Sequence, residues 1–130
     1  CEMRQDACAE VPQALLCVWA LVAETDEDAR RLALSRERWR MDRNQGRLGP
    51  LMAPQDAARP WTPAEEAQLA RMRERAFVGS AATVAGRLRA LAQELAVDEI
   101  VVITWAHDPV ARARSYELLA RECGLAAPAA

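Results

Sequence analysis

Residues 98–120 read DEIVVITWAHDPVARARSYELLA, and the fold turns on how this stretch is taken. Ile100 to Ile103 is an unbroken β-branched run, the pattern of a strand covered on both faces, which parallel sheets produce. Asp108 and Pro109 then open a helix. The aspartate accepts an orphan backbone N–H as N-cap, and proline at the first helical position loses nothing by lacking its own. Ala113, Tyr116, Leu119 and Cys123 share one face of that helix, and Gly124 stops it. The unit is strand, loop and helix, with Thr104, Trp105, Ala106 and His107 at the turn between them.

A second unit of the same kind begins the chain. Residues 1–13 lack periodicity and read as a connector, and the run ALLCVWALVA at 14–23 admits strand or helix. Val18, Trp19 and Val22 favour a buried strand, because the acidic cluster after it supplies a separate helix start. Thr25 with Asp28 resembles a capping box, and Asp26, Glu27 and Asp28 lie where a helix dipole favours negative charge. The helix runs from Asp26 to about Asn44, giving a strand-plus-helix unit over 14–46. Ala29, Leu32, Ala33 and Trp39 fall on one side of it. Arg30, Arg31, Arg36, Arg38, Arg40, Arg43 and Arg47 read as an ordinary solvated face in preference to an anion-binding one, since Glu37 and Asp42 are interleaved.

Between the two units, residues 47–61 have loop composition and 62–97 hold helices. Thr62, Pro63 and Glu65 supply an N-cap, a proline at the first helical position and a capping-box glutamate. The stripe that follows, Leu69, Met72 and Ala76, is narrow and predicts a peripheral helix. Phe77 to Ser80 reads as a compact connector, with Ser80 capping a helix over 81–96 that buries Val84, Leu88, Leu91 and Leu95. A Gly79-Ser80 turn at a helix start also admits a phosphate, though an ordinary cap is the more economical reading. Residues 98–124 are the last strand and helix, and 125–130 a tail.

Composition narrows the function classes. At 130 residues and 52% hydrophobic, the chain has apolar material for one core, or for part of a larger one. A net charge of -2 gives no electrostatic case for nucleic acid, and all 17 basic residues are arginine, which excludes lysine chemistry. His107 is the single histidine, so no multi-histidine metal site exists. Cys1, Cys8, Cys17 and Cys123 contain no Cys-x-x-Cys pair, and the chain reads as cytoplasmic with incidental thiols. The run at 14–23 is too short to span a bilayer, and its acidic leader is wrong for a signal peptide. An opening cysteine in place of methionine fits a truncated chain better than a processed lipoprotein. Ser115 with His107 and Asp108 does not read as a hydrolytic triad, because Ser115 lies inside the predicted helix.

Two strands with helical crossovers cannot cover their own faces, so the sheet is expected to be completed by other strands or by a partner chain. Three blocks in order, LLCVWALVAETDEDARRLALSRERWR at 15–40, FVGSAATVAGRLRAL at 77–91 and residues 98–120, carry a resemblance. The chain resembles the C-terminal part of the luciferase-like, flavin-dependent monooxygenases, over roughly Val11 to Leu119. That resemblance implies an α/β fold, the C-terminal portion of a (β/α)8 TIM barrel holding about two parallel strands with a mostly helical remainder. It implies reduced FMN or a deazaflavin as cofactor, no metal, and a small organic substrate oxidised with dioxygen at the barrel mouth. The family's flavin-holding residues come mostly from earlier strands, so this chain in isolation is expected to be inactive and no catalytic residue is assigned. Active sites of such barrels lie at the C-terminal ends of the strands, which makes Thr104, Trp105 and His107 the mouth candidates. A shortened, non-catalytic relative acting as an oligomerisation module is the alternative, with a homo-oligomer as its expected state. A small helical binding domain, with 14–23 as a core helix, is the third.

Overall fold

A computed structural model of the chain describes residues 14–125. Its elements are β1 (Leu15–Ala23), α1 (Asp26–Asn44), α2 (Pro54–Ala57), α3 (Pro63–Arg75), β2 (Phe77–Ser80), α4 (Ala81–Leu95), β3 (Glu99–Ile103) and α5 (Pro109–Glu122). The run at 14–23 is a strand, which removes the small helical domain as a reading. The expected connector and tail at 1–13 and 126–130 lie outside the described residues.

There are three strands among the described residues where two were expected, in a parallel sheet of order β2-β1-β3. The extra strand is Phe77–Ser80, read from sequence as a connector. Four residues ending in Gly-Ser are too few to show a period of two, and only the pairing of Ala20 through Ala23 with Phe77 through Ser80 reveals them as a strand. The partners divide β1 between them: β2 takes its C-terminal half, and β3 pairs Glu99 to Ile103 with Leu15 to Trp19. Asp98 sets that second register, since its side chain accepts from the Ala14 N–H at 3.0 Å while its own N–H donates to the Ala14 carbonyl.

Side chains alternate across the sheet, and the two faces differ. Val18, Ala20 and Val22 of β1 with Ile100 and Val102 of β3 pack against Val84, Ala85 and Leu88 of α4 and Leu118 and Leu119 of α5. On the other face Leu15, Val101 and Ile103 are exposed. The expectation that Ile100 to Ile103 is covered on both faces therefore fails for this chain: its β-branched run has a cover for every second residue only. Helices dominate the remainder. Thr25 caps α1 by accepting from the Asp28 N–H, Thr62 and Glu65 form a reciprocal capping box on α3, and Asp108 caps α5 through the Val110 N–H.

The arginine face of the long helix α1 is solvated at Arg30, Arg31, Arg40 and Arg43, and at Arg47 beyond its end, as its charges predict, but the helix also buries charge. Ser35, Glu37 and Arg38 are buried with Ala29, Ala33 and Met41. Arg38 donates to the carbonyls of Ala57 and Arg59 and lies 3.6 Å over the Trp61 ring, which holds the segment after α2 against α1. Glu37 accepts two bonds from Arg73, at 3.0 and 2.9 Å, and ties α1 to α3. Buried charges persist when their polar atoms are satisfied: Glu37 has the Arg73 ion pair, and Arg38 has two carbonyl bonds and an indole face.

Candidate functional site

The C-terminal ends of parallel strands are where helices and loops leave a crevice for ligands. At the end of β3, Trp105 is 42% exposed while its neighbour Thr104 is 2% exposed. Thr104 is turned to the helix side. Its hydroxyl donates to the Ala20 carbonyl at 2.8 Å and its N–H donates to the Tyr116 hydroxyl at 2.9 Å. Those two bonds lock the end of β3 to β1 and α5, and they aim Trp105 outward. His107 is exposed and does not line the cleft beside Trp105.

That cleft, of about 380 Å³, is bounded by Trp39, Leu51, Ile103, Trp105 and Arg112. Trp39 meets Trp105 edge to face, with ring centroids 5.2 Å apart and planes at 81°, the arrangement favoured by aromatic quadrupoles. Trp39 is itself fixed, since its Nε1 donates to the Gly49 carbonyl at 3.0 Å. Arg36, one turn earlier on α1, lies 4.0 Å over the Trp19 ring and 5.7 Å from the Trp105 centroid. A guanidinium over indole faces gains cation–π attraction. Burial, with the like charge of Arg40 adding to it, pushes the Arg36 guanidinium down to about 10. Trp19, Arg36, Trp39 and Trp105 thus form one chain of contacts from mid-strand to the end of β3. Chemically this is a flat apolar wall beside a cation, suited to holding an aromatic ring.

The structure brings Trp105 together with residues that sequence reasoning did not assign to a site. Trp39 was visible only as part of a helix stripe, and Arg36 only as one of seven arginines. Nothing in spacing connects residue 36 with 105, because the contact depends on how α1 crosses the sheet.

A second location, the Gly79-Ser80 start of α4, carries no free anion site. The Ser80 N–H donates to Asp26 Oδ1 at 2.7 Å, and the Thr83 N–H is directed at the Ser80 hydroxyl. That backbone bond, with help from the Thr83 and Ser80 hydroxyls and from Arg30, holds the Asp26 carboxyl below the usual carboxylate range. A carboxylate of the chain already stands where a phosphate would. Ser115 is buried, its hydroxyl accepting from the Val22 N–H at 2.9 Å, so it is a structural group. Cys17 and Cys123 are free, and no group of three or more His, Cys, Asp or Glu among the described residues is placed to hold a metal. Among them, too, no helix is long and apolar enough to cross a membrane.

No family model matches the chain. Relatives do. Uncharacterized protein YceB of Bacillus subtilis (strain 168) is 33% identical over 110 residues, covering 84% of this chain and 33% of the relative. A luciferase-like monooxygenase of Escherichia coli (strain K12) is 30% identical over 110 residues, with the same coverage of each chain. Among solved structures, the crystal structure of apo-MsnO8 superposes with a TM-score of 0.76 at 28% identity, over 88% of this chain and 36% of that one. The chain spans about a third of the length of the relatives it matches.

Proposed function

The chain matches the luciferase-like monooxygenases in sequence and, as the C-terminal part of a luciferase-like TIM-barrel, in fold; from that premise we propose that it contributes one wall of a flavin-dependent oxidoreductase site. The observation that carries the proposal is Trp105, half-exposed at the carboxyl end of a parallel strand and buttressed by Trp39. The residues fit a flavin in part. Trp105, Trp39 and Ile103 offer an apolar wall for a flat ring, and Arg112 offers a cation beside it. The start of α4 does not offer a phosphate cradle, because Asp26 fills it. Reduced FMN, when bound, would supply the electrons that activate dioxygen as the oxidant of a small organic substrate, and a deazaflavin would supply a hydride instead. Trp105 orients the ring or substrate and excludes water from one side. Thr104 acts one step removed, by fixing the strand end that carries Trp105.

The rest of the site is assigned to strands outside this sequence, and the isolated chain is inactive on this reading. Three strands with Leu15, Val101 and Ile103 exposed support that assignment. A flavin titration followed by tryptophan fluorescence tests it: FMN is expected to bind the isolated chain weakly, with no oxidation of an added aldehyde when reduced FMN and dioxygen are supplied. Tight binding with turnover would overturn the claim of an incomplete site. A chimera in which this chain replaces the matching third of the Escherichia coli relative tests the wall. There, Trp105→Ala is expected to lower flavin affinity or activity while the fold persists, and an unchanged chimera would remove Trp105 from the site.

The exposed apolar face favours a second reading, a non-catalytic relative that covers the face with another copy of itself. We place either form in the cytoplasm, where the free thiols Cys17 and Cys123 stay reduced.

A further inference from the structure

Away from the Trp105 cleft, four guanidinium groups converge on a cavity of about 570 Å³ that has no carboxylate in its lining. Arg36 and Arg40 come from successive turns of α1, Arg71 and Arg75 from successive turns of α3, and the spacing of four stacks each pair on one helix face. Among the described residues, none of the four forms an ion pair, although Arg47, Arg59, Arg73 and Arg114 all do. Arg75 lies in the last turn of α3, where the helix dipole favours a cation. Asn44 and Gln68 add amide groups to the rim.

The floor is apolar, made by Val18, Trp19, Met72 and Phe77. A cavity lined by four guanidinium groups that form no ion pair among the described residues, with no acid in its lining, lacks an acceptor carrying negative charge. Guanidinium groups match phosphate, sulfonate and carboxylate oxygens in bidentate geometry. The indole and phenyl floor matches an apolar body attached to that anion.

We propose that the cleft between α1 and α3 binds a small organic oxyanion, an apolar or aromatic body bearing a phosphate or sulfonate group. The anion sits among Arg36, Arg40, Arg71 and Arg75, and the body lies on Trp19 and Phe77. Because Arg36 also lies against Trp105, an anion here restrains the same guanidinium that flanks the other cleft.

The test uses the whole chain with phenyl phosphate, benzenesulfonate, inorganic phosphate and phenol at constant ionic strength, read by tryptophan fluorescence and by thermal unfolding. Phenyl phosphate is expected to bind saturably, to raise the melting temperature and to be displaced by benzenesulfonate. Inorganic phosphate and phenol, each carrying half of the recognised chemistry, are expected to bind about tenfold or more weaker. Arg71 and Arg75 are exposed, so Arg71→Gln and Arg75→Gln leave the fold in place and should each weaken phenyl phosphate about tenfold, the worth of one charge-assisted bond. Arg121→Gln, on α5 and outside the cleft, should leave binding unchanged. Absence of saturable binding overturns the proposal. So does an Arg121→Gln effect equal to that of Arg71→Gln, which would mark attraction by net charge alone.

Discussion

Ala96 closes α4 at φ 50°, ψ 44°, the left-handed conformation in which a Cβ crowds the backbone. Its N–H donates to the Gln93 carbonyl and the Val97 N–H to the Ala92 carbonyl, so the conformation is held by helix-ending bonds and not by its side chain. Glycine there relieves the strain, and Ala96→Gly is expected to raise stability by about 0.5–1 kcal/mol in urea unfolding despite the looser unfolded chain. A loss of stability would mean that the cap does not persist in solution. Ser115 makes the opposite case. Its hydroxyl is the acceptor for the buried Val22 N–H, and Ser115→Ala leaves that donor orphaned, at a cost of about 1–3 kcal/mol in the same measurement. The sequence showed Ser115 as a serine inside a helix and nothing more, since its partner is 93 positions away. Trp105, by contrast, was legible, because a residue just past a β-branched run falls at a strand end whatever the rest of the fold does.

Elements joined by a single group are where pH acts. Asp26, the first residue of α1, accepts from the Ser80 N–H at the start of α4, and that backbone bond holds its carboxyl below the ordinary range. A carboxylate depressed on folding contributes stability that is fully present above its unfolded value and is lost as pH falls through the folded one. Acid unfolding should therefore steepen below the ordinary aspartate range. Asp26→Asn keeps an acceptor oxygen but not the charge, so it should flatten that limb by lowering stability at neutral pH toward the acid value of the wild-type chain; an acid limb unchanged by the substitution would remove Asp26 from the account. Glu65, depressed in the same direction by its bond from the Thr62 N–H and by Gln45, retains a share of the limb in that variant. Gly79 belongs to the same junction. A Cβ there would stand 2.7 Å from Asp26 Oδ1, so Gly79→Ala must displace the carboxylate from Ser80 and should lower stability and the acid response together. β1, β3 and the four long helices were readable from runs, caps and stops. β2 was not, because its four residues acquire strand geometry only by pairing with β1, and α1's buried arginine and glutamate hid its packing from any hydrophobic stripe.

The sheet's two faces set the behaviour of the molecule as a whole. One is sealed by α4 and α5, while Leu15 at 63%, Val101 at 39% and Ile103 at 43% exposure leave the other with contiguous apolar side chains on paired strands. Such a face, with a short parallel strand at each edge, invites cover from further strands or from a second copy. The isolated chain is expected to self-associate with concentration, seen as rising mass in light scattering, and to bind an apolar dye in its dilute form. Val101 lies at the centre of β3 on that face, between Glu99 and Ile103, and a charge there opposes docking without touching the α4 and α5 side. Val101→Lys should accordingly lower association while the unfolding midpoint at low concentration moves by less than about 0.5 kcal/mol equivalent. A monomeric wild-type chain that binds no dye would show that the face is closed by some rearrangement of α1. Association that survives Val101→Lys would place the contact at an edge of the sheet, through backbone pairing, instead of on its face.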